Sequence, residues 1–296
     1  MHLNPADTVL IISPAGRVRH SHIDHAIRVL NSWGLKVELG RYAKAEFYNF
    51  AGTLEERLAD LQWALDHPYA KAILASRGGY GTLQLLDKID WTIFQQKPKL
   101  FVGYSDITTL QVQINNMGIA SLHALMPNSY PKGTGEHQAS LQTLEKALFH
   151  RPYAIAWENT VSIQPMSIDA EVIGGNLSIL YSLQGTPYAP NYKDKILFIE
   201  EVSEYLYHTD RMLRSMDYAG VFAQLKAILV GDFTSMKDNA LPFGQSVEQM
   251  LADIAQKHNV PVCFGLPCGH GDPTLALPLG EKGLLKLDAK HCHLSF

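Results

Sequence analysis

The chain has 296 residues, 46% of them hydrophobic and 18% charged, with a formal net charge of −4. That is enough apolar material for one large or two medium domains. The slight acidity, without a run of Lys and Arg, excludes a surface built to grip a nucleic-acid backbone.

The segment before Val9 has no positive n-region, and the first apolar run is too short for a signal peptide. No stretch reaches the length of a bilayer span, so the expectation is a cytoplasmic protein with neither membrane nor nucleic acid as a partner. Cys263, Cys268 and Cys292 are odd in number and fit neither a disulfide framework nor a zinc knuckle. They read as reduced thiols.

In chain order, Val9-Leu-Ile-Ile-Ser13 reads as a buried strand. Ile23, Ile27 and Leu30 then recur at helical spacing up to Trp33-Gly34. Lys36-Val-Glu-Leu39 predicts a second strand. Thr53-Leu-Glu-Glu56 is a capping box ahead of a Leu54, Leu58, Leu61, Leu65 stripe that Pro68 ends. Ala72-Ile-Leu-Ala75 and Leu100-Phe-Val102 are the next strands, with a helix expected at Thr82 to Leu86. Such β–α alternation means a parallel sheet covered by helices on both faces, with ligands at the carboxyl ends of its strands.

The pattern weakens after Pro127. The reading is an α/β protein: an N-terminal doubly wound parallel-sheet domain over residues 1–127, a connection over 128–168, and a C-terminal β-rich mixed domain over 169–296. Strand-like runs at Lys195 to Ile199, Ala227 to Val230, Thr274 to Pro278, Gly283 to Leu287 and Cys292 to Phe296 carry the last of these.

In Lys99-Leu-Phe-Val-Gly-Tyr-Ser-Asp106 an apolar strand runs into Gly103 and Ser105, and a helix begins at once with Ile107, Leu110, Ile114 and Met117 as its buried face. A serine at a sharp strand-to-helix turn has the geometry of a nucleophile elbow, beside free N–H groups that can hold an oxyanion. Taken alone, the segment reads more readily as a helix cap. Ser76-Arg-Gly-Gly-Tyr-Gly81 leaves another strand end. It reads as a phosphate cradle, as an oxyanion loop facing the elbow, or as a plain tight turn.

A serine nucleophile needs a base, and the base needs an orienting acid. His20, His22 and His25 resemble a metal cluster but sit at a helix start, where a solvated face is the simpler account. His291 and His293 alternate in a terminal strand and are expected to face solvent. His270 lies in the loop Gly265-Leu-Pro-Cys-Gly-His-Gly-Asp-Pro273, which makes it the stronger candidate for the base. Ile196-Leu-Phe-Ile-Glu-Glu-Val202 offers Glu200 and Glu201 at a strand end. Alternation points them to opposite faces without choosing between them.

Taken together, these segments resemble the LD-carboxypeptidase family of serine peptidases, which includes the microcin C immunity peptidases. The ordered set is Ser13-Pro-Ala-Gly16, Arg77-Gly-Gly-Tyr-Gly81, Gly103-Tyr-Ser-Asp106, Gly175-Asn-Leu177, Gly185-Thr-Pro-Tyr188, Leu197-Phe-Ile-Glu-Glu-Val202 with Asp210-Arg211, and Gly269-His270. The resemblance implies a site between the two domains with Ser105 as nucleophile, His270 as general base and Glu200 as orienting acid. It also implies a muropeptide or tetrapeptide substrate losing its terminal D-alanine, no cofactor, no metal, and a homodimer. The backbone N–H groups of Asp106 and Gly79 are the expected oxyanion donors, and Arg77 is the candidate for the substrate carboxylate. One departure is His123-Ala-Leu-Met-Pro127, where the family commonly has His-Gly-Pro.

Two other functions compete. One is hydrolysis of microcin-like peptidyl nucleotides, disfavoured by the short inter-domain stretch with Trp157 as its sole tryptophan. The other is non-enzymatic binding of a nucleotide or sugar phosphate on the Arg77 to Gly81 loop.

Overall fold

The computed structural model describes residues 2–133, 135, 137–149, 152–160 and 164–296. The first part alternates strands and helices: β1 (Thr8–Ile12), α1 (His20–Ser32), β2 (Lys36–Leu39), α2 (Leu54–Asp66), β3 (Ala72–Ala75), α3 (Thr92–Gln96), β4 (Leu100–Gly103), α4 (Thr108–Asn116) and β5 (Ser121–His123). After α5 (Gln138–Phe149) and β6 (Ala154–Glu158) the alternation resumes. It runs through β7 (Met166–Asn176), α6 (Leu177–Ser182), β8 (Ile196–Val202), α7 (Leu206–Tyr218), β9 (Ala227–Thr234), α8 (Val247–His258) and β10 (Val262–Cys263). The strands β11 (Leu277–Leu279), β12 (Glu281–Asp288) and β13 (His291–Ser295) close the chain.

Two sheets result, and the α/β class with a doubly wound first half and a mixed, β-rich second half is borne out. The first sheet has the order β11-β5-β4-β3-β1-β2, parallel throughout except for β11. The second has the order β10-β9-β8-β7-β12-β13-β6, parallel as far as β7 and antiparallel beyond it. Every residue of β1 is buried, as a parallel strand covered on both faces requires. The Thr53 and Glu56 capping box forms in both directions at the start of α2. The helix expected at Thr82 to Leu86 is instead a pair of short 3-10 turns.

Three apolar clusters hold the layers together. One lies under α2, α3 and α4 and contains Leu10, Leu61, Phe94 and Phe101. Another lies under α6, α7 and α8 and contains Leu177, Met212, Phe222 and Leu251. The third is shared: Val9, Leu74 and Val102 of the first sheet pack with Trp157, Phe198, Leu229 and Leu285 of the second. The connecting stretch therefore contributes a strand, β6, to the second sheet. That sheet curls until β6 meets the segment after β10, where the Trp157 indole donates to the Phe264 carbonyl at 3.1 Å and the Asn159 side chain accepts the Phe264 N–H at 2.9 Å.

Two junctions set the halves against each other beside the elbow. The Asn176 N–H, at the end of β7, donates to the Thr108 hydroxyl on the first turn of α4 at 3.1 Å. Gly175 has no side chain because a Cβ there would meet that hydroxyl at 2.5 Å. The second junction is β11, which pairs Leu277 with His123 on the edge of the first sheet. α4 is consequently buried all round rather than on the one face its sequence shows. Among the described residues no helix is long and apolar enough to cross a membrane.

Candidate active site

β4 delivers the chain to Ser105 through a turn with no room to spare. A Cβ on Gly103 would lie 2.8 Å from an Ile107 methyl, so the chain can double back only because that residue is glycine. Ser105 then takes φ +64°, a left-handed conformation that costs a non-glycine residue about 1–3 kcal/mol. It does not cap the helix: neither the 3-10 turn starting at Ser105 nor α4 has a side-chain cap. Its half-buried hydroxyl has no hydrogen-bond partner among the described residues, His270 included.

The loop after β3 lies directly on this turn. A Cβ on Gly78 would come within 2.9 Å of the Ser105 Cβ and 3.3 Å of the Asp106 nitrogen. The N–H groups of Asp106 and Gly79 have no hydrogen-bond partner among the described residues. The Asp106 side chain ties loop to elbow by accepting from the Thr82 N–H and hydroxyl, each at 2.9 Å. Burial pushes this carboxyl upward, opposed by the hydrogen bonds from Thr82 and Gly81 and by the charge of Arg57. Arg57, itself buried, donates to the carbonyls of Pro14 and Gly81 and to Gln84, which fixes the loops after β1 and β3 together. Arg77 is exposed at the rim. It donates to the Arg17 carbonyl at 2.8 Å and has no acidic partner among the described residues.

β8 and the loop after β10 bring together the expected acid and base. His270 Nδ1 and Glu200 Oε2 are 2.6 Å apart. The carboxylate can only accept, so Nδ1 carries the proton and Nε2 keeps its lone pair. Glu200 is fully buried, and its other oxygen has no partner among the described residues. Burial raises its pKa, and the His270 hydrogen bond and charge offset part of that. For His270 burial lowers the pKa, but the hydrogen bond and charge of Glu200, aided by Glu201 and Asp232, outweigh it and leave it above 6.5.

Glu201 is also buried but differently occupied. It accepts from Asn176 Nδ2 at 2.9 Å, the Ser178 N–H at 2.8 Å, the Ser178 hydroxyl at 2.7 Å and the Val202 N–H at 2.8 Å. A register shift between Ile199 and Glu201, where β8 pairs with β9, aims the neighbouring acids at different partners.

The rings of His270 and Tyr104 are 4.9 Å apart between centroids. His123 lies behind Tyr104, fully buried, with both ring nitrogens unpartnered among the described residues. Burial, with a small push from His270, lowers it to about 3, so it stays neutral.

Asp232 escaped the sequence reading. It stands two residues beyond the Ala227 to Val230 run, at the carboxyl end of β9 and beside the His270 loop. Its signal was the one that marked Glu200, an acid where a parallel strand ends. The histidines 20, 22 and 25 do not converge: His20 contacts the Lys44 carbonyl and His25 the Pro131 carbonyl. His291 and His293 are exposed, as expected.

Residues 9–124 match the family model described as the LD-carboxypeptidase N-terminal domain, and residues 169–285 match that of the C-terminal domain. A probable murein peptide carboxypeptidase of Bacillus subtilis is 34% identical over 97% of this chain and 91% of its own length. A murein tetrapeptide carboxypeptidase of Pseudomonas aeruginosa is 31% identical over 94% of this chain and 92% of its own. The crystal structure of a muramoyltetrapeptide carboxypeptidase from Oxalobacter formigenes superposes with a TM-score of 0.89. Its identity is 30%, and the match covers 97% of this chain and 98% of that one.

Proposed function

The chain belongs to the LD-carboxypeptidase family, and from that premise we propose that it hydrolyses the amide joining an L-centre diamino acid residue to the terminal D-alanine of cell-wall tetrapeptides. The observation that carries the reading is the 2.6 Å Glu200–His270 hydrogen bond, made in a loop that packs against the residue preceding Ser105.

In this reading His270 Nε2 removes the Ser105 hydroxyl proton as the oxygen attacks the scissile carbonyl. The free N–H groups of Asp106 and Gly79 receive the oxyanion. His270 passes the proton to the leaving amine, D-alanine departs, and an acyl ester remains on Ser105. Water, deprotonated by His270, then cleaves that ester and restores the hydroxyl. Glu200 holds the imidazole in its productive tautomer throughout. In the same reading Arg77, exposed and without an acidic partner among the described residues, pairs with the terminal carboxylate of the substrate. The family resemblance adds a cytoplasmic homodimer acting on peptides recovered from the wall.

A peptidyl-nucleotide substrate is less well served. Trp157 is 8% exposed and its indole is committed to the Phe264 carbonyl, so it offers no face for a base to stack on. The test is release of D-alanine from muramoyl tetrapeptide by the purified protein, compared with Ser105→Ala. Wild-type release that the variant loses is expected; equal rates would remove Ser105 from the chemistry.

A further inference from the structure

The loop Gly269-His270-Gly271 is gripped by a residue with no role in the triad. Asp232 lies in the last third of β9, the strand next to the one carrying Glu200. Its carboxylate accepts the Gly271 N–H at 3.0 Å, and its own N–H donates to the Cys268 carbonyl at 2.8 Å. One residue therefore holds the backbone on both sides of His270. The flanking glycines follow from this. A Cβ on Gly271 would lie 2.6 Å from the Asp232 carboxyl carbon, and one on Gly269 would be caught between the Glu200 Cβ at 2.9 Å and the Asp232 Cβ at 3.2 Å.

We infer that Asp232 is a positioning residue for this reaction, fixing where the His270 ring sits and adding its negative charge to those of Glu200 and Glu201. The inference rests on His270 acting as the base.

The charges around the imidazole are few. Glu200 and Glu201 approach from β8, Asp232 from β9, and neutral His123 and the Tyr104 ring from the first sheet. Asp232 itself faces Glu200, His270, the Gly271 N–H and the buried Cys268 thiol, whose pKa burial pushes well up. Burial moves the Asp232 carboxyl up to about 6 despite the Gly271 hydrogen bond. It is thus ionised in the range where His270 has to be neutral to act as base.

An acid that merely anchors a loop would be replaceable by any hydrogen-bond acceptor. Asp232→Asn keeps an acceptor oxygen and removes the charge; Asp232→Ala removes both. Release of D-alanine from muramoyl tetrapeptide is followed as kcat/KM from about pH 5 to pH 9, alongside Ser105→Ala. With the charge gone the imidazole holds its proton less tightly. The acidic limb of Asp232→Asn is therefore expected at lower pH than wild type, with a plateau within about threefold. Asp232→Ala is expected to lose about tenfold or more at the plateau, as the loop loses a hydrogen bond to a charged group. An Asp232→Asn profile superimposed on wild type overturns the inference, and that variant decides the matter if Asp232→Ala does not fold. Activity surviving in Ser105→Ala would instead strike the catalytic reading beneath it.

Discussion

The Tyr104 and His270 rings are tilted at 59° with centroids 4.9 Å apart, so the residue that follows β4 and a residue of the loop leading from β10 to β11 share one contact immediately beside Ser105. The catalytic reading depends on that contact, since it places the imidazole against the turn bearing the hydroxyl. Four measurements probe how the surroundings serve it.

The left-handed backbone at Ser105 is strained for any residue with a Cβ. Ser105→Gly and Ser105→Ala are both expected to be inactive, but the glycine variant should be the more stable by about 1 kcal/mol. Denaturant unfolding of the pair reads this directly. The reverse order would mean that the turn is unstrained.

Glu200 and Glu201 are expected to separate into chemistry and architecture. Glu200→Gln keeps the shape but removes the charge that fixes the tautomer, and should lower kcat by about 10⁴. Glu201→Ala strands donors from Asn176, Ser178 and Val202. It should cost about 3 kcal/mol of stability. A Glu201 variant as slow as Glu200→Gln at unchanged stability would reverse the assignment.

His270 must be neutral to act as base, and Glu200 holds its pKa above 6.5. The acidic limb of kcat/KM is therefore expected above pH 6.5, and in Glu200→Gln at lower pH. The same raised pKa has a signature in folding. Its stabilising contribution is complete below the unfolded value of 6.5 and fades as pH rises through the folded one. Rate profiles and denaturant unfolding across that interval test both signs.

Gly78 has room for hydrogen but not for a methyl group, since its Cβ would press on the Ser105 Cβ at 2.9 Å. Gly78→Ala should displace the loop bearing the Gly79 N–H and lower kcat by about 10²-fold while the melting temperature changes little. Unchanged kcat would show that this loop takes no part in holding the oxyanion.

Much of the first half was legible because its signals are local. The β1 to β4 strands and the capping box at Thr53 follow from short apolar runs and a four-residue spacing. The turn at Ser105 was legible in the same way, from Gly103 and the helix that follows. β5, three residues long, carries no such signal, and β11, glimpsed in the Thr274 to Pro278 run, joins the first sheet and not the β-rich second one, because its pairing is set by a long excursion of chain. β7 was hard to read because its first residues lie exposed near the sheet edge and only its later ones are buried. Alternation could not choose between Glu200 and Glu201, because what separates them is their partners, His270 for the one and Asn176 and Ser178 for the other, which lie far away in sequence. Asp232 was missed because its importance lies in two backbone groups of a distant loop, not in its own neighbours along the sequence.

After leaving His270 the chain crosses to complete the edge of the first sheet as β11 and then returns to the second. The two matched regions are therefore not interchangeable cassettes. Residues 9–124 expressed alone would expose the bare flank of β5 and half of a shared apolar layer, an invitation to intermolecular strand pairing. Swapping halves between relatives should succeed only when the donor of His270 also contributes a strand that fits its host.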